Sequence, residues 1–123
     1  MYKEKKRQSR IDPELALNIL RKVPDKAFLF FTDLDEYTGI SAFSLDDFYN
    51  KLDKVPLRSV DFHFKRRDFQ KWIRETLGDK QLAATINRTK KTMKGSEIRK
   101  TIRERVERRL TRLKAAKNRS IDR

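Results

Sequence analysis

All eight phenylalanines and the single tryptophan fall between Phe28 and Trp72, and most of the surplus positive charge falls outside that stretch. A core forms where large apolar side chains are, so this partition places the packed body in the middle of the 123 residues. Net charge follows the same division: +4 over residues 1–10, −1 over residues 11–85 and +11 over residues 86–123. A nearly neutral body with two basic attachments is expected, divided as an arm at 1–10, a body at 11–94 and a helical extension at 95–123.

Several kinds of chemistry drop out at once. The absence of cysteine removes disulfides, thiolate nucleophiles and Cys-containing zinc sites, and one histidine leaves little else for a transition metal. Gly39, Gly78 and Gly95 lie too far apart to build a phosphate loop. Asp33-x-Asp35-Glu36 resembles the start of a calcium loop, but the fifth, sixth and twelfth positions are Tyr37, Thr38 and Ser44, so no such loop forms. No enzyme activity, cofactor or metal is therefore expected. No apolar run approaches the roughly 20 residues needed to cross a bilayer, and Met1 to Arg7 is charged without a signal-like apolar stretch. A soluble, cytoplasmic protein without a membrane partner is expected.

Local patterns give the elements. Asp12-Pro13-Glu14 opens a helix with Leu15, Ile19, Leu20 and Val23 inward and Pro24 as its stop. Ala27 to Phe31 reads as a buried strand, Thr32 to Gly39 as a loop, and Ile40 to Phe43 as a short second strand. Ser44 with Asp47 forms a capping box ahead of a helical face of Leu45, Phe48, Leu52 and Val55. Val60, Phe62 and Phe64 alternate with Asp61, His63 and Lys65, the period of a half-buried strand, followed by a basic turn at Lys65-Arg66-Arg67. Asp68 then caps a helix with Phe69, Trp72, Ile73 and Leu77 inward, Gly78 ends it, and Asp79 caps the next, with Leu82, Ala83 and Ile86 inward. The fold class is α+β: a small sheet of two or three strands packed with amphipathic helices, followed by a long basic C-terminal helix.

That last helix is expected to run from Ser96 to about Lys117, roughly 33 Å at 1.5 Å per residue. Ile98, Ile102, Val106, Leu110 and Leu113 form one narrow stripe, and arginines and lysines fill most of the remainder. Glu104 and Glu107 are the only acids between Ile98 and Arg119, too few to pair the bases around them. Such a helix suits a polyanion, because neutralising phosphates releases counterions. It carries no aromatic ring on which to stack a base, so phosphate contact and shape would carry the binding. The expected contacts are Lys3, Lys5, Lys6, Arg7 and Arg10 on the arm, Lys65, Arg66 and Arg67 at the turn, and Arg88, Lys90, Lys91 and Lys94 before the helix. On the helix they are Arg99, Lys100, Arg103, Arg105, Arg108, Arg109, Arg112, Lys114, Lys117 and Arg119. Replacing Arg105, Arg108, Arg109 and Arg112 by Gln should then leave the fold intact and sharply reduce RNA affinity.

Two other readings compete locally. Asp61, His63 and Lys65 on one strand face would suggest a nuclease centre, but no acidic pair with a following lysine accompanies them. Asp68 to Thr89 also has the outline of a helix-turn-helix, with Thr85, Asn87, Arg88, Lys90 and Lys91 on the recognition helix.

The middle of the chain resembles a family of small archaeal proteins and domains of unknown function. The resemblance lies in Phe30-Phe31-Thr32-Asp33, Thr38-Gly39-Ile40-Ser41-Ala42, Ser44-Leu45-x-x-Phe48 and Ser59-Val60-x-Phe62-His63-Phe64. Its most specific part is Asp68-Phe69-x-x-Trp72-Ile73-x-x-x-Leu77-Gly78-Asp79-x-x-Leu82-Ala83, and it covers about residues 26–86. It implies an archaeal origin and an independently folding α+β body, and it carries no catalytic residues. The arm and the Arg-rich tail stand outside it and are similar to the extensions of ribosomal proteins. The expected function is binding of structured RNA, as a ribosomal or ribosome-associated protein contacting rRNA within a subunit, with neighbouring ribosomal proteins as further partners. Duplex DNA, bound by an archaeal chromatin or transcription protein, is the first alternative. The second is a protein-interaction module that uses the Ile98 to Leu113 stripe.

Overall fold

The computed structural model describes residues 10–90 and 93–121. Helix α1 (Pro13–Leu20) starts as the sequence implies, with the Asp12 carboxylate accepting the Leu15 N–H at 3.1 Å and Pro13 where no N–H is needed. Its buried residues are Ala16 and Ile19. Leu15, expected inward, is 43% exposed, because the turn spacing that faces the core runs through 16 and 19 instead. The helix also ends before Pro24: the Arg21 guanidinium bonds the Asn18 carbonyl and the Thr76 carbonyl, and Pro24–Lys26 forms a separate 3-10 turn.

Strands β1 (Phe28–Asp33) and β2 (Glu36–Ala42) form a two-stranded antiparallel hairpin. Most of the expected loop at 32–39 is thus strand, and only Leu34 and Asp35 turn the chain. Polar composition concealed the pairing: Thr38 replaces ladder bonds at a bulge, its hydroxyl donating to the Phe30 carbonyl at 2.7 Å and accepting the Ile40 N–H. Helix α2 (Leu45–Leu52) has the expected Ser44 cap, its hydroxyl accepting the Asp47 N–H, while the Asp47 carboxylate accepts the Phe43 N–H, one residue before the cap, instead of closing a box on Ser44.

The third expected strand is a helix. Residues 57–66 form α3 (Leu57–Arg66), whose buried side chains are Ser59, Val60, His63 and Phe64. That set recurs with helical spacing, so positions 60 and 64 satisfy both periods, and only Phe62 distinguishes them. Phe62 is half-buried beneath the Arg66 guanidinium, 5.0 Å from its ring centre, rather than in the core. The expected basic turn is reduced to Arg67, which takes a left-handed conformation at φ 63° between α3 and α4 (Asp68–Lys71).

Helix α4 continues into a π-helical segment, Trp72–Leu77, which stops at Gly78 with φ 86°, a value a side chain would strain. Asp79 then caps α5 (Lys80–Asn87) through the Leu82 N–H at 3.1 Å. The last helix, α6 (Gly95–Ile121), is 27 residues long, about 40 Å. Gly95 begins it against α3, where an added Cβ would meet the Asp61 carboxylate at 3.1 Å and Leu57 at 3.2 Å.

Two groups of side chains make one core. Phe28 is the hub of the aromatic group, with ring contacts to Phe30, Phe48, His63, Phe69 and Trp72. The Trp72 indole N–H donates to the Lys26 carbonyl at 2.8 Å, which satisfies its polar edge. The aliphatic group is the α6 stripe, Ile98, Ile102, Val106, Leu110 and Leu113, joined by Ala116 and buried against α1, α3, α2 and α5. The C-terminal helix is therefore a wall of the body. Its stripe from Ile98 to Leu113 is buried inside the chain. No described helix is long and apolar enough to cross a membrane.

Candidate nucleic-acid interface

Because α6 buries one side, its charged side chains are fixed in direction. Several bond the body. Arg99 donates to the Val55 carbonyl, and Arg103 pairs with Asp53 at 3.1 Å while lying 4.3 Å from the Tyr49 ring centre. Lys114 pairs with Asp46 at 2.9 Å, and Arg119 donates to the Ile11 carbonyl at 2.6 Å.

Arg109 departs most from expectation. It is 6% exposed, and its guanidinium meets the buried Asp79 carboxylate through two bonds, Nε to Oδ2 at 2.7 Å and NH2 to Oδ1 at 2.9 Å. Its remaining nitrogen donates to Gln81 Oε1 at 3.0 Å. A side chain held on three nitrogens inside the protein does not face an external phosphate. Arg109 is thus removed from the expected contacts and assigned to locking α5 onto α6.

Around this lock the helices leave a groove of about 200 Å³, lined by Gln81, Leu82 and Thr85 of α5 and by Arg105, Arg108, Arg109 and Arg112 of α6. Arg105, Arg108 and Arg112 share a face because their spacing is three and four residues. Arg88 is exposed and donates to the Thr85 hydroxyl at 3.3 Å. Lys100 is exposed, Lys117 half-buried, and Arg10, Lys90 and Lys94 exposed away from these bonds. The candidates Lys3, Lys5, Lys6, Arg7 and Lys91 lie outside the described residues.

The helix-turn-helix outline is present in the chain order of α4 and α5 but is not free to dock. A recognition helix offers its N-terminal turn to the major groove. Here that turn is tied to α6 through buried Asp79 and exposed Gln81, both bonded to Arg109.

His63 has both ring nitrogens engaged. Its Nε2 faces the Phe31 N–H at 2.8 Å and its Nδ1 faces Asp68 Oδ2 at 2.8 Å. A backbone N–H only donates, so Nε2 carries the lone pair and Nδ1 the proton. The ring ties α3 to β1, and no base-active nitrogen is left for chemistry. Asp68 is accordingly a histidine and Arg66 partner rather than the expected helix cap, since the left-handed Arg67 places it already inside the first turn. Burial is the main influence that holds the His63 pKa below 6.5; Arg66 adds to it and Asp68 opposes it.

Protonating Nε2 would set N–H against N–H, so the unfolded chain takes up the proton more readily. Stability is therefore expected to be fully present above about pH 6.5 and to fall as pH drops towards the lower folded value, at no more than about 1.4 kcal/mol per pH unit. Urea titrations from pH 7.5 to 5 on wild type and His63→Gln check this. The wild type should lose more than the variant, and parallel curves would remove the histidine from the account.

Elsewhere, a depression of about 530 Å³ between Lys22, Phe43 and α2 has its acids engaged: Asp47 with Lys51 and the Phe43 N–H, Asp46 with Lys114. Among the described residues no group of three or more His, Asp or Glu side chains is placed to hold a metal ion. The sequence singles out neither Gln70 nor Thr89, and Asn87 only as part of the helix-turn-helix outline; all three line a cleft beside Lys65 and Arg67. Neutral polar residues carry no charge signal, and only folding brings these together.

A family model described as a family of unknown function, DUF5752, matches residues 25–122. The match extends well past residue 86 and takes in α6, so the Arg-rich helix belongs to the family pattern and is no departure from it. No curated protein and no solved structure matches the chain.

Proposed function

We propose that this chain, which belongs to the DUF5752 family of unknown function, binds structured RNA without catalysing a reaction, as a ribosome-associated or ribosomal protein of the cytoplasm. The observation that supports it is the α5–α6 groove, lined by exposed Arg108 and Arg112 and half-buried Arg105 on a helix whose other side is core. A rigid helix holds these cations close together, and their combined positive potential attracts a phosphate backbone. The groove contains no aromatic side chain, so contact falls on phosphates and on the shape of an RNA helix. The docking obstruction at the α5 N-terminus favours this over major-groove reading of DNA.

The test spares Arg109. The triple variant Arg105→Gln, Arg108→Gln, Arg112→Gln should keep the wild-type circular dichroism spectrum and melting curve. It should lose tenfold or more of its affinity for a paired RNA. The slope of log affinity against log salt should flatten by about 2 to 3, at 0.7–0.9 per phosphate contact. An unchanged affinity and slope would exclude the groove. Sedimentation of cell lysate with RNase and DNase controls then decides the partner: release from a ribosomal subunit by RNase supports rRNA, and release from chromatin by DNase supports the DNA alternative.

A further inference from the structure

Lys65 and Arg67 stand at the mouth of a second cleft, of about 250 Å³, whose other lining residues are Phe64, Gln70, Asn87 and Thr89. Gln70 and Thr89 are each 5% exposed, and neither Gln70 Oε1 nor Thr89 Oγ1 has a hydrogen-bond partner. Each atom has given up water and received nothing in return, although Met or Val would fill the same space without that penalty. Gln70 and Thr89 both line the cleft, so turning either side chain brings its unpaired atom to a ligand seated there. The cations at the mouth are exposed and carry no ion pair among the described residues, and Arg67 holds a left-handed backbone that glycine would adopt more easily.

We propose that this cleft holds a single nucleotide, with its base edge on the Gln70 amide, the Asn87 amide and the Thr89 hydroxyl, and its phosphate on Lys65 and Arg67. Amide side chains present a donor and an acceptor side by side, the complement of a base edge, and Phe64 supplies an apolar wall. The volume lies just below the 300 Å³ or more typical of drug-sized ligands, which suits one nucleotide and not a dinucleotide. The same chemistry comes from a free ribonucleotide or from a base splayed out of a folded RNA. The second source rests on the RNA-binding function proposed above; the first does not.

The experiment uses the full chain. AMP, GMP, CMP, UMP and inorganic phosphate are titrated by NMR, and an RNA hairpin with one bulged nucleotide is compared with its fully paired counterpart by fluorescence anisotropy. At least one monophosphate should bind more tightly than inorganic phosphate, or the bulged hairpin should bind at least tenfold more tightly than the paired one. Gln70→Met and Thr89→Val should each reduce that binding tenfold or more, with melting temperatures no lower than wild type because they delete unpaired atoms. Lys65→Gln, at an exposed position, gives a second reading that does not disturb the interior.

Inorganic phosphate matching every monophosphate with no bulge preference would overturn the proposal, as would Gln70→Met binding like wild type. The two functional readings separate cleanly. Loss of paired-RNA binding in the triple arginine variant concerns only the α5–α6 groove, and loss of base or bulge preference in Gln70→Met concerns only this cleft.

Discussion

Replacing Arg109 by alanine should destabilise the protein by about 3–5 kcal/mol, the range for a buried ion pair that loses one partner. Asp79 is 1% exposed, so the orphaned carboxylate would have neither its two guanidinium bonds nor water. It would keep only the Leu82 N–H that it caps. Against a typical total stability of 5–15 kcal/mol, the loss is large enough to lower the denaturation midpoint visibly. Removing both charges should be gentler: in Arg109→Met with Asp79→Ser the serine still caps α5 and no charge is stranded. Urea denaturation of both single variants and the double variant forms the cycle. A double variant closer to wild type than Arg109→Ala supports the lock, and a loss below about 1 kcal/mol for Arg109→Ala would show that the pair is not holding α5 to α6.

Ile102→Asp should abolish cooperative folding. Ile102 is fully buried in the α6 stripe. The substitution removes apolar packing worth about 2–5 kcal/mol and adds an unpaired buried charge worth several more, together comparable with the whole stability of a small domain. Ile102→Val, which removes one methylene, should cost only about 0.5–1.5 kcal/mol and keep a sharp transition. The same substitution has a different consequence if α6 is an appendage. The aromatic body would then keep its near-ultraviolet circular dichroism and its unfolding transition in Ile102→Asp. That result would return the helix to the status of an extension.

Much of the candidate site was legible because charge is legible. The Arg-rich helix, its apolar stripe and the caps at Asp12, Ser44 and Asp79 follow from spacing over a few residues, and the structure places them as read. What spacing does not carry is the identity of the far partner. Arg109 and Arg108 are neighbours in sequence and equal in chemistry, yet one is buried on Asp79 and the other is exposed. Thirty residues separate that pair, and nothing local marks which arginine it takes. The α3 segment failed for another reason: positions 60, 62 and 64 fit a strand period, and the helical alternative depends on His63 being buried by β1 and Asp68.

By itself the sequence determined where the aromatic part of the core would lie, which segments would be helices at their capped ends, and that the last helix would have one apolar side. These properties are set by residue type and by neighbours within one or two turns. Tertiary structure decided the rest: that 57–66 is helix, that α6 is a wall and not an appendage, that Arg109 faces inward, and that Gln70 and Thr89 share a cleft. The physical reason is common to all four. Burial and hydrogen-bond satisfaction depend on what arrives from distant parts of the chain, and a local pattern states only what each segment is able to offer.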